Sequence, residues 1–244
     1  MKKDNIIYGI WPVIEALKSG KEIEKVLIQK GLRGEGFHML HSQMKELEIP
    51  FQFVPLEKLN RLTRQNHQGV VAFISEISYQ KLESVIPFTY EQGKVPLLLL
   101  LDHITDVRNL GAIARTAECA GVDGILLPEK GSAQVNQDAI KTSAGALYKL
   151  PVIRYQDAKE TVTFLRNSGL KIIAATEQAG IDYTDSDMTK PMALILGAED
   201  TGISNDLLKM ADELVRIPIM GEIKSLNVSV AAGVILYEIL RQRK

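Results

Sequence analysis

The sequence predicts an α/β protein, with a small α/β sandwich followed by a larger α/β domain built on a parallel sheet. Strand-like and helix-like segments alternate along most of the 244 residues, which is typical of sheets covered by helices. The run Val95–Leu101 (VPLLLLL) is continuously apolar and predicts a strand buried on both faces, as in a parallel sheet. The pattern weakens around Pro87 and Gly93. We therefore expect domains at residues 1–76 and 95–244, joined by a linker at 77–94.

The first domain is expected to alternate short helices and strands around its own core. Apolar residues recur at helical spacing in two segments, and a third short helix is expected after Pro55. The two predicted helices with this spacing are Pro12–Lys18 and Phe37–Leu47. The predicted strands are Glu24–Gln29, Phe51–Val54 and Gly69–Ile74.

The second domain repeats a strand–helix alternation, which favours a doubly wound parallel sheet. After Val95–Leu101, the predicted strands are Gly124–Leu127, Val152–Arg154, Lys171–Ala175, Met192–Leu196 and Glu213–Ile217. The predicted helices are Leu110–Ala120, Gln137–Tyr148, Asp157–Asn167, Asn205–Met210 and Val228–Arg241.

Composition indicates an ordinary globular protein, with 45% hydrophobic and 24% charged residues. The net charge of −1 argues against a generally basic nucleic-acid binder, although residues 1–78 carry +2 and residues 79–244 carry −3. This mild asymmetry permits an RNA-facing first domain.

The single cysteine, Cys119, excludes an internal disulfide, and its neighbours Ala117 and Ala120 favour a buried thiol. No apolar run reaches membrane-spanning length and the first residues lack a signal-peptide pattern, so we expect a cytoplasmic protein without a membrane partner.

Several common catalytic sites are missing from the sequence. It contains no G-x-G-x-x-G dinucleotide motif, no G-x-x-x-x-G-K-[ST] phosphate loop and no G-x-S-x-G nucleophile turn. His38 and His41 share a predicted helix, but no third ligand lies nearby, so we expect no metal site.

Three polar segments follow or end predicted strands: Asp102–Gly121, Ile195–Ser204 and Ile217–Ala232. Ligand-binding turns in α/β proteins lie at the carboxyl ends of strands, so these segments are expected to converge on one site. Their residues run D-x-x-x-D-x-x-N-L-G-A-I-x-R-T-A from Asp102, L-G-x-E-x-x-G from Leu196, and I-P-I-M through S-L-N-V-S, which ends at Ser229. In this order they resemble the three motifs of the SpoU/TrmH branch of the SPOUT methyltransferases.

The first domain adds to this resemblance through Tyr8-Gly9 and His67-Gln68-Gly69-Val70. It is similar to the L30e-like substrate-binding domain of bacterial ribosomal RNA members of the family. The resemblance implies a SPOUT domain with a C-terminal deep trefoil knot, a homodimer, and no metal. It also implies S-adenosylmethionine-dependent 2′-O-ribose methylation of RNA, with S-adenosylhomocysteine as product and a guanosine in 23S ribosomal RNA as the favoured target. Transfer RNA methylation, or a non-catalytic RNA-binding or ribosome-assembly role, are the alternatives.

Five residues are the predicted catalytic group: Asn109, Arg115, Glu199, Ser225 and Asn227. By resemblance Arg115 acts as the base, but a guanidinium with a pKa above ~12 resists deprotonation. It could instead anchor a phosphate and stabilise developing oxyanion charge. Asn109 and Asn227 each precede a predicted helix and could be ordinary N-caps, and Glu199 could be a solvated charge in a glycine-flanked turn.

The resemblance also implies cofactor contacts at Gly197, Ile217 and Leu226, to which we add Thr176 and Ser229. Ordinary core packing is the alternative for the apolar members.

A polar and basic stretch precedes the last strand of the first domain and contains Lys58, Arg61, Arg64 and His67. We expect these four residues to bind RNA, and a solvated surface is the alternative. The final helix is apolar almost all round, which suits burial in a core or a dimer interface.

Overall fold

The computed structural model describes residues 6–223 and 225–244. The chain divides into two compact units, one that ends at Ser78 and one that spans Tyr79–Lys244. Each unit has its own sheet, and the predicted α/β class is confirmed.

The first unit is a four-stranded sheet in the order β1-β4-β2-β3 with helices on both faces. Its elements are β1 (Ile6–Tyr8), α1 (Ile10–Lys18), β2 (Ile23–Gln29), α2 (Glu35–Glu46), β3 (Phe51–Val54), α3 (Leu56–Leu62) and β4 (Val70–Ile74). Successive side chains of a strand point to opposite faces, and β4 shows the result. Val70 and Ala72 pack with α1 and α2, whereas Val71 packs with Leu59 of α3. Apolar residues on both faces therefore fix the position of this strand between two helical layers.

The second unit contains a seven-stranded sheet in the order β7-β6-β5-β10-β8-β11-β9, in which every strand pair is parallel. Its strands are β5 (Leu97–Asp102), β6 (Gly124–Pro128), β7 (Val152–Tyr155), β8 (Lys171–Ala175), β9 (Ile181–Asp182), β10 (Met192–Gly197) and β11 (Glu213–Arg216). The whole of β5 is buried, as its unbroken leucine run predicts. The parallel sheet is thus confirmed.

Helices cover the faces of this sheet, and two short 3-10 turns, Ala146–Tyr148 and Tyr183–Asp185, interrupt the connections. The helices are α4 (Leu82–Glu91), α5 (Val107–Cys119), α6 (Gln137–Thr142), α7 (Ala158–Asn167), α8 (Asn205–Met210) and α9 (Val228–Gln242). A single helix predicted for residues 137–148 is divided, because Ala144 and Gly145 adopt φ values of 50° and 84°. A left-handed backbone cannot continue a right-handed helix.

The predicted linker at residues 77–94 differs from the structure. It contains α4, whose residues Leu82, Val85 and Ile86 are buried in the core of the second unit with β5 and β6. Their spacing of three and four residues is helical. Pro87 weakened that signal, because proline removes an N–H from a helix interior, but here it lies on the exposed side of α4.

Cys119 is exposed, so the prediction of a buried thiol was wrong. Its neighbours Ala117 and Ala120 are buried, but each helical residue is rotated by about 100° from the last. Cys119 therefore lies on the solvent side of α5, one turn beyond the exposed Arg115.

Candidate functional site

The site of the second unit forms where neighbouring parallel strands end. Asp102, the last residue of β5, pairs in register with Gly197, the last residue of β10, and β8 and β11 lie next to β10 in the sheet. The segments that follow these strands therefore emerge at one edge, as the sequence predicts. A hydrogen bond joins two of them, since the buried side chain of Asp102 accepts from the Ser204 backbone N–H through Oδ2 at 2.7 Å.

Asn109 lies in the first turn of α5 and is not its cap. The N-cap is Asp106, whose Oδ1 accepts hydrogen bonds from the backbone N–H groups of Arg108 and Asn109 at 2.6 and 3.2 Å. Aspartate three residues before Asn109 was the signal for this cap in the sequence. Because Asp106 satisfies the helix end, the side-chain amide of Asn109 is available for contacts with other segments.

Three distant segments meet at one carboxylate oxygen. Asn109 Nδ2 donates to Glu199 Oε1 at 2.9 Å, Val228 N–H donates to the same oxygen at 3.3 Å, and Asn227 Nδ2 also donates to it. In addition, Asn227 Nδ2 donates to Asn109 Oδ1 at 3.1 Å. The Asn109–Glu199–Asn227 network therefore links α5, the turn after β10 and the start of α9.

Asn227 also caps α9, so it is both a helix cap and a member of the network. Its Oδ1 accepts a hydrogen bond from Ser229 N–H at 2.9 Å and another from the Ser229 hydroxyl. The acceptor end of the amide thus caps the helix, while the donor end joins the network. Ser229 contacts this cap and does not line the cavity described next.

A cavity of about 270 Å³ opens beside the network. Leu196, Ile217, Leu226 and Ile235 give it apolar walls. The predicted cofactor residues Thr176, Gly197, Ile217 and Leu226 line it, as do the predicted catalytic residues Glu199 and Ser225. Carboxylates of Glu177, Glu199 and Asp200 give the lining a negative charge. The cavity is also lined by Ile219, Ala231 and Ile235, which were not predicted as site residues. The sequence signal for them was the apolar character of α9 and of the segment before it.

Gly197 has a steric reason to be glycine. A Cβ atom built on it would lie 2.2 Å from the carbonyl carbon of Gly202 and 2.4 Å from Ile203 N. The turn is held by a hydrogen bond from Gly202 N–H to Ala198 O at 2.9 Å. The backbone of this turn therefore passes the end of β10 at a distance that excludes any side chain at residue 197, and it forms one wall of the cavity.

Arg115 lies apart from this cavity in its own chain. It is exposed, does not line the cavity, and forms no hydrogen bond or ion pair with the residues in ranges 6–223 and 225–244. It follows Asn109 by six residues of α5, which is about 9 Å along the axis and on a different side of the helix. The structure therefore unites Asn109, Glu199, Ser225 and Asn227 around one site but does not bring Arg115 to it within one chain.

The predicted RNA-binding residues of the first unit divide into two groups. Lys58, Arg61 and Arg64 are exposed on and just after α3. His67 is buried, its Nδ1 accepts from Gly69 N–H at 3.0 Å, and its Nε2 is 2.9 Å from Asn60 Oδ1. These contacts give His67 a structural role at the turn before β4 and remove its ring from the surface that RNA contact requires.

The described ranges contain neither a metal-site pattern nor a membrane-spanning helix. Among residues 6–223 and 225–244, no group of three or more His, Cys, Asp or Glu side chains is placed to hold a metal ion. Within the same ranges, no helix is both long and apolar enough to cross a bilayer.

Comparison with known sequences identifies both units. The sequence model of the SpoU rRNA methylase family matches residues 96–237. The model described as RNA 2′-O ribose methyltransferase substrate binding matches residues 6–80. A protein of Staphylococcus haemolyticus assigned to the TrmH family of tRNA/rRNA methyltransferases is 34% identical over 241 residues, which cover 99% of this chain and 97% of that protein.

Solved structures agree with these sequence matches. The SpoU methyltransferase AviRb from Streptomyces viridochromogenes, in complex with AdoMet, superposes with a TM-score of 0.62 at 25% identity over 98% of this chain and 90% of that chain. An AdoMet-bound rRNA methyltransferase from Sinorhizobium meliloti gives 0.62 at 26% identity over 97% and 87%. With the fold, the strand-end site and both family models in agreement, the chain belongs to the SpoU/TrmH family of RNA methyltransferases.

Proposed function

We propose that this protein transfers a methyl group from S-adenosylmethionine to a ribose 2′-hydroxyl of RNA. The observation that carries the proposal is the cavity that adjoins the Asn109–Glu199–Asn227 network at the strand ends. Two structurally similar relatives, AviRb and the Sinorhizobium meliloti enzyme, bind AdoMet. The first unit matches a substrate-binding model for RNA 2′-O ribose methyltransferases.

The residues of the cavity fit S-adenosylmethionine. Its apolar walls suit an adenine ring, and its carboxylates, including Glu199, suit a ligand with a positive charge. The volume of about 270 Å³ lies just below the ~300–1,000 Å³ typical of small-molecule sites. Thr176, Gly197, Ile217 and Leu226 are the residues that would hold the cofactor, which supplies an electrophilic methyl group on a sulfonium. S-adenosylhomocysteine is then the product.

The protein residues have to orient the ribose 2′-hydroxyl, whose proton leaves to water as the new C–O bond forms, and to stabilise the charge that develops on its oxygen. Glu199 holds Asn109 and Asn227 in fixed orientations, which pre-organises the site for an incoming hydroxyl. Ser225, on the cavity wall, is a further candidate to position the ribose. Arg115 is free to meet an RNA phosphate bidentately and to stabilise negative charge that develops on the attacking oxygen.

Because Arg115 lies away from the cavity of its own chain, we propose that two copies form the working enzyme. The exposed apolar residues Val230 and Tyr237 are seven positions apart on α9 and so share one helix face. This face supports a homodimer in which Arg115 of one protomer serves the cavity of its partner. We also propose the deep trefoil knot of the family for the C-terminal part, and a cytoplasmic location, where RNA is available.

The proposed target is a guanosine of 23S ribosomal RNA. The support for it is the L30e-like first unit with its exposed Lys58, Arg61 and Arg64, a domain that the resemblance associates with ribosomal RNA enzymes. Transfer RNA is the second candidate, since the Staphylococcus relative carries both RNA classes in its name.

The test is transfer of labelled methyl groups from S-adenosylmethionine to total RNA by the wild-type protein and the Arg115→Ala variant. We expect wild type to label RNA in nuclease-resistant 2′-O-methylated dinucleotides, and we expect Arg115→Ala to lose at least ~100-fold of that rate, as for removal of one charge-stabilising donor. Equal labelling by both proteins would remove Arg115 from the reaction. No labelling by either would favour a non-catalytic RNA-binding or assembly role.

A further inference from the structure

A histidine–carboxylate pair lies at the end of β5, on the opposite flank of the site from the cavity. His103 Nδ1 is 2.6 Å from Asp102 Oδ1. Asp102 is almost completely buried, whereas the His103 side chain is 56% exposed. The other Asp102 oxygen accepts from Ser204 N–H, so the carboxylate is fixed from both sides. The pair thus presents one anchored and accessible imidazole beside the site.

The backbone at His103 adopts a conformation that favours glycine. Its φ is 55°, in the left-handed region that few residues with a side chain occupy. Such conformations persist where the surrounding structure imposes them, and they occur most often at functional sites. In this conformation the ring lies against the carboxylate of the residue before it, with Nδ1 2.6 Å from Asp102 Oδ1.

The far edge of the ring faces the loop that follows β6. A Cβ atom built on Gly131 would lie 2.9 Å from His103 Cδ2 and 3.4 Å from Nε2. Glycine at residue 131 therefore leaves the space that the ring occupies, and the exposed Lys130 precedes it. Within residues 6–223 and 225–244, Nε2 forms no hydrogen bond.

We propose that His103, held by Asp102, binds a phosphate of the RNA strand next to the nucleotide that is methylated. The inference rests on the proposed function, because it extends the same site across β5. Between a buried carboxylate and a phosphate, the ring takes up a second proton from water and, as the imidazolium, donates Nδ1–H to one anion and Nε2–H to the other. The sheet order β6-β5-β10 puts this contact and the cavity on opposite sides of β5, so an RNA strand that crosses the sheet edge reaches both.

The test compares RNA binding by wild type and His103→Asn. Asparagine adopts the left-handed region readily, so the variant keeps the backbone, but its side chain is too short to reach a phosphate from the same position. The probe is fragmented total RNA from cells that lack the protein, in a filter-binding titration over a salt series. We expect about tenfold weaker binding, as for one lost charge-assisted hydrogen bond. The slope of log affinity against log salt should fall by about 0.7, as for one phosphate contact on a single strand. Affinity for S-adenosylmethionine should not change.

Two glycine variants provide a matched pair for the same assay. Gly131 and Gly121 have φ values of 75° and 76°, but a Cβ at Gly121 meets nothing within 4 Å. Gly131→Ala should therefore weaken RNA binding by displacing the His103 ring, whereas Gly121→Ala should bind RNA like wild type. In the His103→Asn background, Gly131→Ala should cause no further loss, because the two changes act on one contact.

Equal RNA affinity or equal salt slopes for wild type and His103→Asn would overturn the inference. Full methyl transfer by wild type together with that result would leave the proposed function intact. Conversely, weaker RNA binding by His103→Asn with no methyl transfer by wild type would support the RNA contact and refute the proposed function.

Discussion

The side-chain amide of Asn227 donates a hydrogen bond to Oδ1 of Asn109 over 3.1 Å, although 118 residues separate them along the chain. Both amides also donate to Glu199 Oε1. One carboxylate oxygen therefore fixes the relative positions of α5 and α9 beside the cavity. Together with the Val228 N–H, the two amides give this oxygen three hydrogen-bond donors.

Removal of this carboxylate should damage both stability and activity. Glu199→Ala leaves the amides of Asn109 and Asn227 and the Val228 N–H without their acceptor. Because water can reach these exposed groups, the free energy of unfolding should fall by only about 0.5–1.5 kcal/mol. Methyl transfer should fall at least ~100-fold, because the site is no longer pre-organised. Urea unfolding and labelled methyl transfer measure the two effects.

The matched control is Glu160→Ala, which removes the same exposed type of side chain from the first turn of α7. It should change neither quantity appreciably. If Glu199→Ala retained wild-type activity and stability, the network would have no role in the site.

Gly197→Ala should be one of the most disruptive single substitutions in the chain. The added methyl group would lie 2.2 Å from a backbone carbon of Gly202, so the turn has to move. We expect a loss of about 1–3 kcal/mol in unfolding free energy and loss of measurable S-adenosylmethionine binding in calorimetry. Gly180→Ala is the control, since nothing lies within 4 Å of its Cβ position. Unimpaired cofactor binding by Gly197→Ala would refute the role of this turn as a cavity wall.

The exposed face of α9 should govern assembly. Val230→Asp or Tyr237→Asp places a charge on the face shared by these residues, and a buried unpaired charge opposes association. Sedimentation should show a monomer in place of a dimer, and methyl transfer should fall with it, because Arg115 then has no partner cavity. Tyr148→Asp, at a residue that is 62% exposed, should remain dimeric. A wild-type protein that sediments as a monomer would exclude the two-copy site.

The contact between Lys171 and Glu213 should give the second unit a measurable acid sensitivity. Burial opposes ionisation of Glu213, but hydrogen bonds from Lys171 and Ser186 outweigh it and hold the pKa of the carboxyl below its usual 4.5. A carboxyl whose pKa is lower in the folded state stabilises that state above the unfolded pKa. This contribution is lost as the pH falls from about 4.5 through the lower folded value.

Lys171→Met should therefore reduce the dependence of unfolding free energy on pH below about 4.5, and should cost about 0.5–1 kcal/mol at neutral pH. Denaturant titrations at about every pH unit between roughly pH 3 and 7 would measure the unfolding free energy and its dependence on pH. Lys149→Met removes the more exposed contact with Glu118 and serves as control. An identical pH profile for Lys171→Met and wild type would contradict the assignment.

Apolar runs and helical spacing predicted most of the fold. The leucine run of β5 is a strong signal, because a strand with leucines on both faces has to be buried on both faces of a sheet. Pro87 concealed α4, and β1 and β9, with three and two residues, are too short for periodicity to identify. Their existence depends on pairing with β4 and β11, which is a long-range property.

The strand-end position of the site was also predictable, but the hydrogen bonds and burial of its individual residues were not. The sequence offered capping or catalysis for Asn109 and Asn227, and the structure assigns the first cap to Asp106 and both a cap and a network contact to Asn227. His67 was grouped with basic neighbours, although its burial depends on Asn60 and the turn before β4. Arg115 is the clearest case, because the sequence grouped it with Asn109, whereas the rotation of successive residues around α5 puts it on an exposed side that does not line the cavity.

The most direct test of the account is a map of 2′-O-methylated nucleotides in RNA from cells that lack this protein. The map is compared with those of cells that express wild type or Arg115→Ala. We predict one ribose methylation that disappears without the protein, returns with wild type, and stays absent with Arg115→Ala. Identical maps from all three would contradict the proposed ribose methylation.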